Sequence, residues 1–331
     1  MLAAIGHDVT IVFPRYPIGT NNVKAYVRTF IWSTLIRIKN RPLIKSYSLR
    51  NDVKIRLVRN LGESALPSGD VVIASAWQTA EPISVYKRQK FKKKLYIAYD
   101  YEHFMTASKE TKERIARTYR SNLTIIASST IVKETIESQG GTVAALIPCG
   151  IDFDSFRIDI HPASRDPITI GFPVRRESFK GVADAITAAN LLRSRYGERL
   201  KISAFGSHKV DLPSWITWLK YPTQCQLREF YNNNAIFFVP SHFEGWGLPG
   251  CEAMACGAAL VTTDNGGCRD YAINLETALV TPPMRPDLLA KAVAELIEND
   301  DLRLSIALTG SHSIRKFNWS QSTQRLNEFI T

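Results

Sequence analysis

The sequence is short of cysteine, of long uncharged apolar runs and of internal repeats, and each shortage excludes something. Its five cysteines, Cys149, Cys225, Cys251, Cys256 and Cys268, are odd in number and form no C-x-x-C pair. Neither a disulfide frame nor a zinc site is signalled, and a reduced, cytosolic setting fits best. No run of 18 uncharged apolar residues occurs, so no spanning helix is expected. The most apolar segment, 26–38, is broken by Arg28 and Arg37. Residues 1–8 lack the basic region and the apolar length of a signal peptide. What remains is ordinary globular composition, 45% apolar and 22% charged, which rules out a disordered chain, a collagen or a coiled coil. A chain of 331 residues suggests two domains, and it can bury two cores without disulfides.

The formal charge of +11 is unevenly placed. Residues 1–150 hold 23 Lys/Arg against 11 Asp/Glu, a balance of +12; the rest holds 19 against 20, a balance of −1. Ten basic residues fall between Lys24 and Arg59, against Asp52 alone. The first half is therefore expected to meet something anionic: nucleic acid, an acidic membrane face or a phosphorylated substrate. Segment 25–39, apolar with flanking Lys and Arg, reads equally as a helix lying on a membrane surface or as a core helix with a basic rim. Nucleic acid has least support, since no helix-turn-helix, zinc or ribonucleoprotein pattern accompanies the charge.

The second half alternates. Apolar runs at 168–172, 200–205, 216–219, 235–239, 259–263 and 278–280 read as strands, and helical spacing covers 180–196, 224–231, 249–256, 286–298 and 301–316. Such alternation predicts a parallel sheet with helices on both faces. The first half follows less cleanly, with strands expected at 7–13, 71–74, 95–98 and 123–127 and a helix at 131–139. A turn-rich break at Pro148-Cys-Gly-Ile-Asp152, then a polar aperiodic stretch at 155–166, mark the boundary between domains 1–150 and 151–318. The first strand arrives after about six residues, without the strand, glycine turn and helix that open a doubly wound domain.

The most informative run is Ser241-His-Phe-Glu-Gly-Trp-Gly-Leu-Pro-Gly-Cys-Glu-Ala-Met-Ala-Cys-Gly257. A buried strand leads into it. Gly245 and Gly247 let the backbone turn and approach a ligand, Pro249 suits the first helical turn, and Gly257 suits the position past the helix end. Open α/β sheets bind ligands beyond the strand ends, and helix starts attract anions. The run also satisfies G-x-G-x-x-G through Gly245, Gly247 and Gly250, with Asp264 at the spacing of a dinucleotide fingerprint. Against a nicotinamide enzyme stand the five residues between strand and glycines, the short helix, and Glu244 beside a pyrophosphate it would repel.

At these residues the chain resembles the family 4 glycosyltransferases of the GT-B fold, whose E-G-[FW]-G-L-P-x-x-E-A-M-A-C-G motif is matched by Glu244 through Gly257. Val174-Arg-Arg-Glu-Ser-Phe-Lys-Gly181 resembles their G-R-x-x-x-x-K-G segment, and Gly266-Gly-Cys-Arg-Asp270 their G-G-x-x-E turn with Asp for Glu. Pro148-Cys-Gly-Ile-Asp152 followed by Phe156 is similar to P-N-G-[IV]-D…F, with Cys149 for Asn. Ala74-Ser-Ala-Trp77 and Tyr99-Asp-Tyr-Glu102 look like a bacterial subgroup of the family. The resemblance is strongest over 165–320.

The resemblance implies an α/β chain of two Rossmann-like, doubly wound parallel-sheet domains facing a cleft. The first would lack its opening strand and glycine loop, and helix 319–330 would cross back to it. It implies retaining, metal-independent transfer of a hexosyl or deoxyhexosyl group from a nucleotide diphosphate, with no cofactor. Arg175 and Lys180 would meet the charge on the departing diphosphate, and Glu244 would hold donor-sugar hydroxyls. Glu252 would take the ribose hydroxyls. Backbone around Gly245, Gly247, Leu248 and Pro249 would complete the cradle, with Arg176 as a second phosphate ligand and Ile216 near the base. Tyr99, Asp100 and His103 are candidates from the first domain. His242 is given a structural or rim role, and the cysteines pack as small hydrophobes. The expected acceptor is a saccharide or lipid-linked anion in cell-surface polysaccharide or glycolipid synthesis, met at the cytoplasmic face of the membrane; no nucleic acid is expected. Met1 reads as an internal methionine or misassigned start. The alternatives are an inactive donor-binding paralogue and, less favoured, an NAD-dependent oxidoreductase.

Overall fold

The computed structural model describes residues 1–15, 52–87, 90–100, 108–208 and 210–331. The basic segment 25–39 lies outside them. They form two compact units, one of residues 1–128, 132–147 and 323–331, the other of 129–131 and 148–322.

In the first unit, β1 (Thr10–Pro14) pairs in parallel with β2 (Lys54–Val58). Strands β3 (Val71–Ala74), β4 (Lys93–Ala98), β5 (Thr124–Ala127) and β6 (Val143–Leu146) form a second parallel sheet in that order. Successive side chains of a strand point to opposite faces, and the interior strands use this. Tyr96, Ala98, Ile125 and Ala127 join one core with residues of helices α1 (Trp77–Ser84), α2 (Lys109–Tyr119) and α3 (Thr130–Ser138). Leu95, Ile97 and Ile126 form a core on the other face with Leu326, Phe329 and Ile330. Helices α1 and α2 are also tied by a two-point bond from Arg114 to Glu81, at 2.8 and 2.6 Å. Among the described residues β1 pairs only with β2 and β3 only with β4. Between them lies a cavity of about 680 Å³ lined by Thr10, Ile11 and Val12 on one side and Val71, Val72 and Ile73 on the other. Among the described residues the parallel strands of this unit therefore form two sheets.

The second unit is a six-stranded parallel sheet. Its strands are β7 (Thr169–Val174), β8 (Lys201–Gly206), β9 (Thr217–Lys220), β10 (Ile236–Val239), β11 (Ala259–Thr263) and β12 (Leu279–Thr281), in the order β12-β11-β10-β7-β8-β9. Ile236 and Phe238 face one core, shared with α4 (Val182–Tyr196), α7 (Pro286–Glu298) and α8 (Asp300–Ser313). Phe237 and Val239 face the other, shared with α5 (Gln224–Asn233) and α6 (Leu248–Ala255). The chain runs outward from β7 through β8 and β9, then returns to β10 on the other side of β7. That reversal is the position at which a doubly wound sheet opens a crevice past its strand ends. Helix α9 (Trp319–Ile330) begins in this unit, and from Thr323 onward it belongs to the first.

The aperiodic stretch 155–166 is packed rather than linking. Phe156 is buried in a core of the second unit, and buried Arg165 donates to the carbonyls of Ile160, Tyr231, Asn234 and Cys256. Its residues are spaced by these contacts and not by a helical or strand period, which is why the pattern looked like a break.

Candidate functional site

Strands β7 and β10 are neighbours in the sheet, and the connections leaving them carry the motif residues. After β7 the chain passes Arg175 and Arg176, makes a short turn at Ser178–Lys180 and enters α4. After β10 it passes Ser241 to Gly247 and enters α6. Adjacent parallel strands thus deliver both segments to the same end of the sheet. There Lys180 Nζ lies 2.8 Å from Glu244 Oε2, with side chains 16% and 14% exposed.

Glu244 is held from several sides. Ser241 Oγ donates to its other carboxylate oxygen at 2.7 Å. Its N–H donates to Asn265 O, and its carbonyl accepts from Gly267 N, each at 3.0 Å. The Thr263 hydroxyl donates to the carbonyl of Ser241. His242 ties the same loop to α4: its N–H donates to Phe179 O at 2.7 Å, and its Nε2 lies 2.7 Å from Asp184 Oδ2. The structural role expected of His242 has this physical content.

Gly247 caps α6 with φ of +95°, a left-handed conformation that glycine adopts without steric cost. Gly250 and Cys251 direct their N–H groups to its carbonyl, and Pro249 has none to offer. Tyr271, buried, donates its hydroxyl to Gly247 O at 3.2 Å. Gly245 and Gly247 are buried, Pro249 is half-buried and Leu248 is exposed, so the mouth of the motif opens at the first turn of α6.

Glu252 lies one turn further on. Tyr231 donates its hydroxyl to Glu252 Oε2 at 2.8 Å. Burial pushes the Glu252 carboxyl up to about 7, while the Tyr231 hydrogen bond and the Arg175 charge pull the other way. Arg175 sits over the Phe205 ring at 5.5 Å and donates to Val174 O at 3.2 Å.

The structure therefore gathers Arg175, Lys180, Glu244, Glu252 and the start of α6 in the second unit. Arg176 is exposed. Ile216 is not a side-chain ligand: it is 5% exposed within the core and its N–H donates to Pro213 O. Tyr99, exposed, and Asp100 lie past the end of β4 in the first unit; His103 lies outside the described residues. Sequence reasoning missed Ser241 as a partner of Glu244, Tyr231 as a partner of Glu252, and Asp184. Asp264, the acidic residue of the dinucleotide fingerprint, is bound at two points by Arg269, at 2.8 and 3.0 Å. Among the described residues no three of His, Cys, Asp and Glu gather as a metal site requires, and no helix is long and apolar enough to cross a membrane.

The family model for glycosyl transferases group 1 matches residues 155–311. The capsular polysaccharide biosynthesis glycosyltransferase CapM of Staphylococcus aureus is 26% identical over 203 residues, which are 55% of this chain and 53% of CapM. The chain thus spans about half the length of this curated relative. Among solved structures, the sucrose-phosphate synthase of Thermosynechococcus elongatus superposes with a TM-score of 0.73 at 16% identity, covering 99% of this chain and 89% of that one. HepE of Anabaena, solved in complex with UDP and glucose, superposes with a TM-score of 0.71 at 15% identity, covering 91% and 89%. The structural likenesses carry the fold, and the family match is confined to residues 155–311. Residues 155–311 are similar to the group 1 glycosyl transferases, in a chain of the GT-B fold.

Proposed function

We propose that the chain is a retaining, metal-independent glycosyltransferase that moves a sugar from a nucleotide diphosphate to a saccharide or lipid-linked acceptor. The observation that carries this reading is the Lys180–Glu244 pair, set with Arg175 and Glu252 around the start of α6. An ammonium has three N–H donors; Glu244 uses one, and the others serve a diphosphate. As the bond between sugar C1 and the diphosphate oxygen breaks, negative charge collects on the leaving group. Fixed cations there lower the barrier, and removing one such group costs roughly 10²–10³ in rate. Arg175 and Lys180 take this role, with Arg176 as a further phosphate ligand. Glu244 holds sugar hydroxyls and faces the oxocarbenium-like centre. The new C1–O bond forms on the face the diphosphate leaves, and the diphosphate oxygen takes the acceptor proton. Glu252 accepts from the ribose, and the Leu248 N–H meets a phosphate oxygen.

The basic first half of the sequence supports an anionic acceptor at a membrane surface. CapM, by its name, acts in capsular polysaccharide biosynthesis, which favours cell-surface polysaccharide or glycolipid synthesis on the cytoplasmic side. HepE was solved with UDP, so UDP leads the candidate nucleotides. The engagement of Asp264 by Arg269 speaks against dinucleotide binding. A second reading, donor binding without transfer, draws on the two separate sheets that the described residues of the first unit form.

The test is thermal-shift binding of UDP, GDP, dTDP and NAD to the wild-type chain and to Lys180→Ala, followed by donor turnover with Glu244→Gln. One nucleoside diphosphate is expected to raise the melting temperature, and Lys180→Ala to abolish the rise. Stabilisation by NAD alone would overturn the reading. Binding without Glu244-dependent turnover would favour the second one.

A further inference from the structure

Tyr231 is fully buried. Its ring is packed by Phe237, Phe205, Phe230 and Phe156, with centroids 5.1, 5.7, 6.0 and 6.0 Å away. Only its hydroxyl leaves this aromatic cluster, and it donates to Glu252 Oε2 at 2.8 Å. The backbone behind it is pinned as well. Buried Arg165 donates from one guanidinium nitrogen to Tyr231 O at 3.2 Å and Asn234 O at 3.1 Å. The hydroxyl therefore occupies one fixed point beside α6. Among the described residues no other hydrogen bond reaches the Glu252 carboxylate, so Oε1 is left for a ligand.

We propose that Tyr231 is a positioning residue for nucleotide binding: its hydroxyl holds one oxygen of Glu252 and thereby aims the other at the ribose hydroxyls of a nucleoside diphosphate. This rests on the donor-site reading above. A carboxyl group turns almost freely about its last torsion, so an unheld Glu252 would spread its acceptor over many directions. One fixed hydrogen bond removes that freedom before the ligand arrives.

The same bond bears on charge. The groups facing Glu252 are the Arg175 guanidinium, the Tyr231 hydroxyl and the thiols Cys251 and Cys256. Burial favours the neutral acid, while Tyr231 and Arg175 favour the carboxylate. A hydrogen bond donated to a carboxylate stabilises that form. Its removal moves ionisation of Glu252 to higher pH, and the acceptor strength of the site moves with it.

The experiment is calorimetric titration of UDP and GDP, each beside its 2′,3′-dideoxy form, from pH 6 to 9. It uses the wild-type chain, Tyr231→Phe, Glu252→Gln and the double variant. Tyr231→Phe deletes one oxygen and leaves the ring packing. The expected result is about a tenfold loss of ribonucleotide affinity at pH 7, with less than about a twofold change for the dideoxy form. In Tyr231→Phe the rise of affinity with pH is displaced upward. In the double variant the Tyr231 effect disappears, because it acts only through Glu252. Equal losses for the ribo and dideoxy ligands, or no loss, would overturn the positioning role while leaving the donor site standing. A wild-type chain that binds neither UDP nor GDP overturns the donor site and this proposal together.

Discussion

Lys180 and Glu244 are 64 residues apart in sequence and 2.8 Å apart in space, an ion pair that joins the connections leaving two neighbouring strands. Each side chain keeps only about a sixth of its surface in water. Removing one partner leaves the other largely desolvated and unpaired, which in fully buried pairs costs about 3–5 kcal/mol. Here the residual exposure lowers the figure to about 2 kcal/mol. Lys180→Met and Glu244→Gln are each expected to lower unfolding free energy by about that much. The double variant should lose no more than either single one. Urea denaturation of all four proteins measures this, and additive losses would show that the two groups do not act as a pair.

Glu252 ties stability to pH. Burial raises its carboxyl from the ordinary 4.5 to about 7 in the folded chain. The folded state then holds the proton more tightly than the unfolded one, so stability falls as pH rises from about 4.5 to 7. Each pH unit in that window is worth about 1.4 kcal/mol, and the whole at most about 3 kcal/mol. Glu252→Gln removes the charged form and still accepts the Tyr231 hydroxyl. It is expected to be more stable than the wild type at pH 8 and nearly equal to it at pH 5. A difference that does not change over this range would mean that Glu252 does not titrate there.

The motif told most about the site, and periodicity told most about the second unit. Strands β10 and β11 are buried on both faces and read as unbroken apolar runs, as interior parallel strands do. Strand β2 escaped notice because Lys54 and Arg56 alternate with Ile55 and Leu57, so a partly exposed strand looked like part of a basic tract. Helix α1 holds Pro82 and starts from Ala76, whose side chain accepts no hydrogen bond. Helix α2 is mostly charged, its buried stripe reduced to Ile115, Ala116, Thr118 and Tyr119. Glu244 and Lys180 were legible because their spacing belongs to a known pattern. Tyr231 was not, since nothing in the local sequence of α5 says that its hydroxyl meets a carboxylate 21 residues away.

Arg165 is a second case of that kind, a buried cation without a carboxylate. Its guanidinium donates to carbonyls of Ile160, Tyr231, Asn234 and Cys256 and to Asn232 Oδ1. Burial brings its acidity to about 10. Arg165→Met keeps much of the volume but takes this donor from the four carbonyls, each worth about 1–3 kcal/mol when buried and unmet, while Asn232 Oδ1 keeps the N–H groups of Asp159 and Ile160. The expected loss is about 4 kcal/mol, with a fall in melting temperature that carries nucleotide binding down with it, since Tyr231 loses its anchor. Calorimetric melting of Arg165→Met beside Arg165→Lys measures it. Unchanged melting in both would show that water replaces the guanidinium at this site.

The two sheets of the first unit give the last expectation. Strands β4 and β5 have partners on both sides, and Leu95, Tyr96, Ile126 and Ala127 are fully buried. Among the described residues strands β1 and β3 each have one partner and face the cavity with the other edge. All five residues of β1 are only half-buried. Amide protection follows local opening, and edges with exposed hydrogen bonds open first. Hydrogen exchange should therefore be at least about tenfold faster in peptides covering 10–14 and 71–74 than in those covering 95–98 and 124–127. Unpaired strand edges also template association with other chains, so slow self-association is expected to protect 10–14 and 71–74 selectively as concentration rises. Protection of all four segments to the same level in dilute solution would mean that the two edges are already paired, and that the first unit holds one continuous sheet.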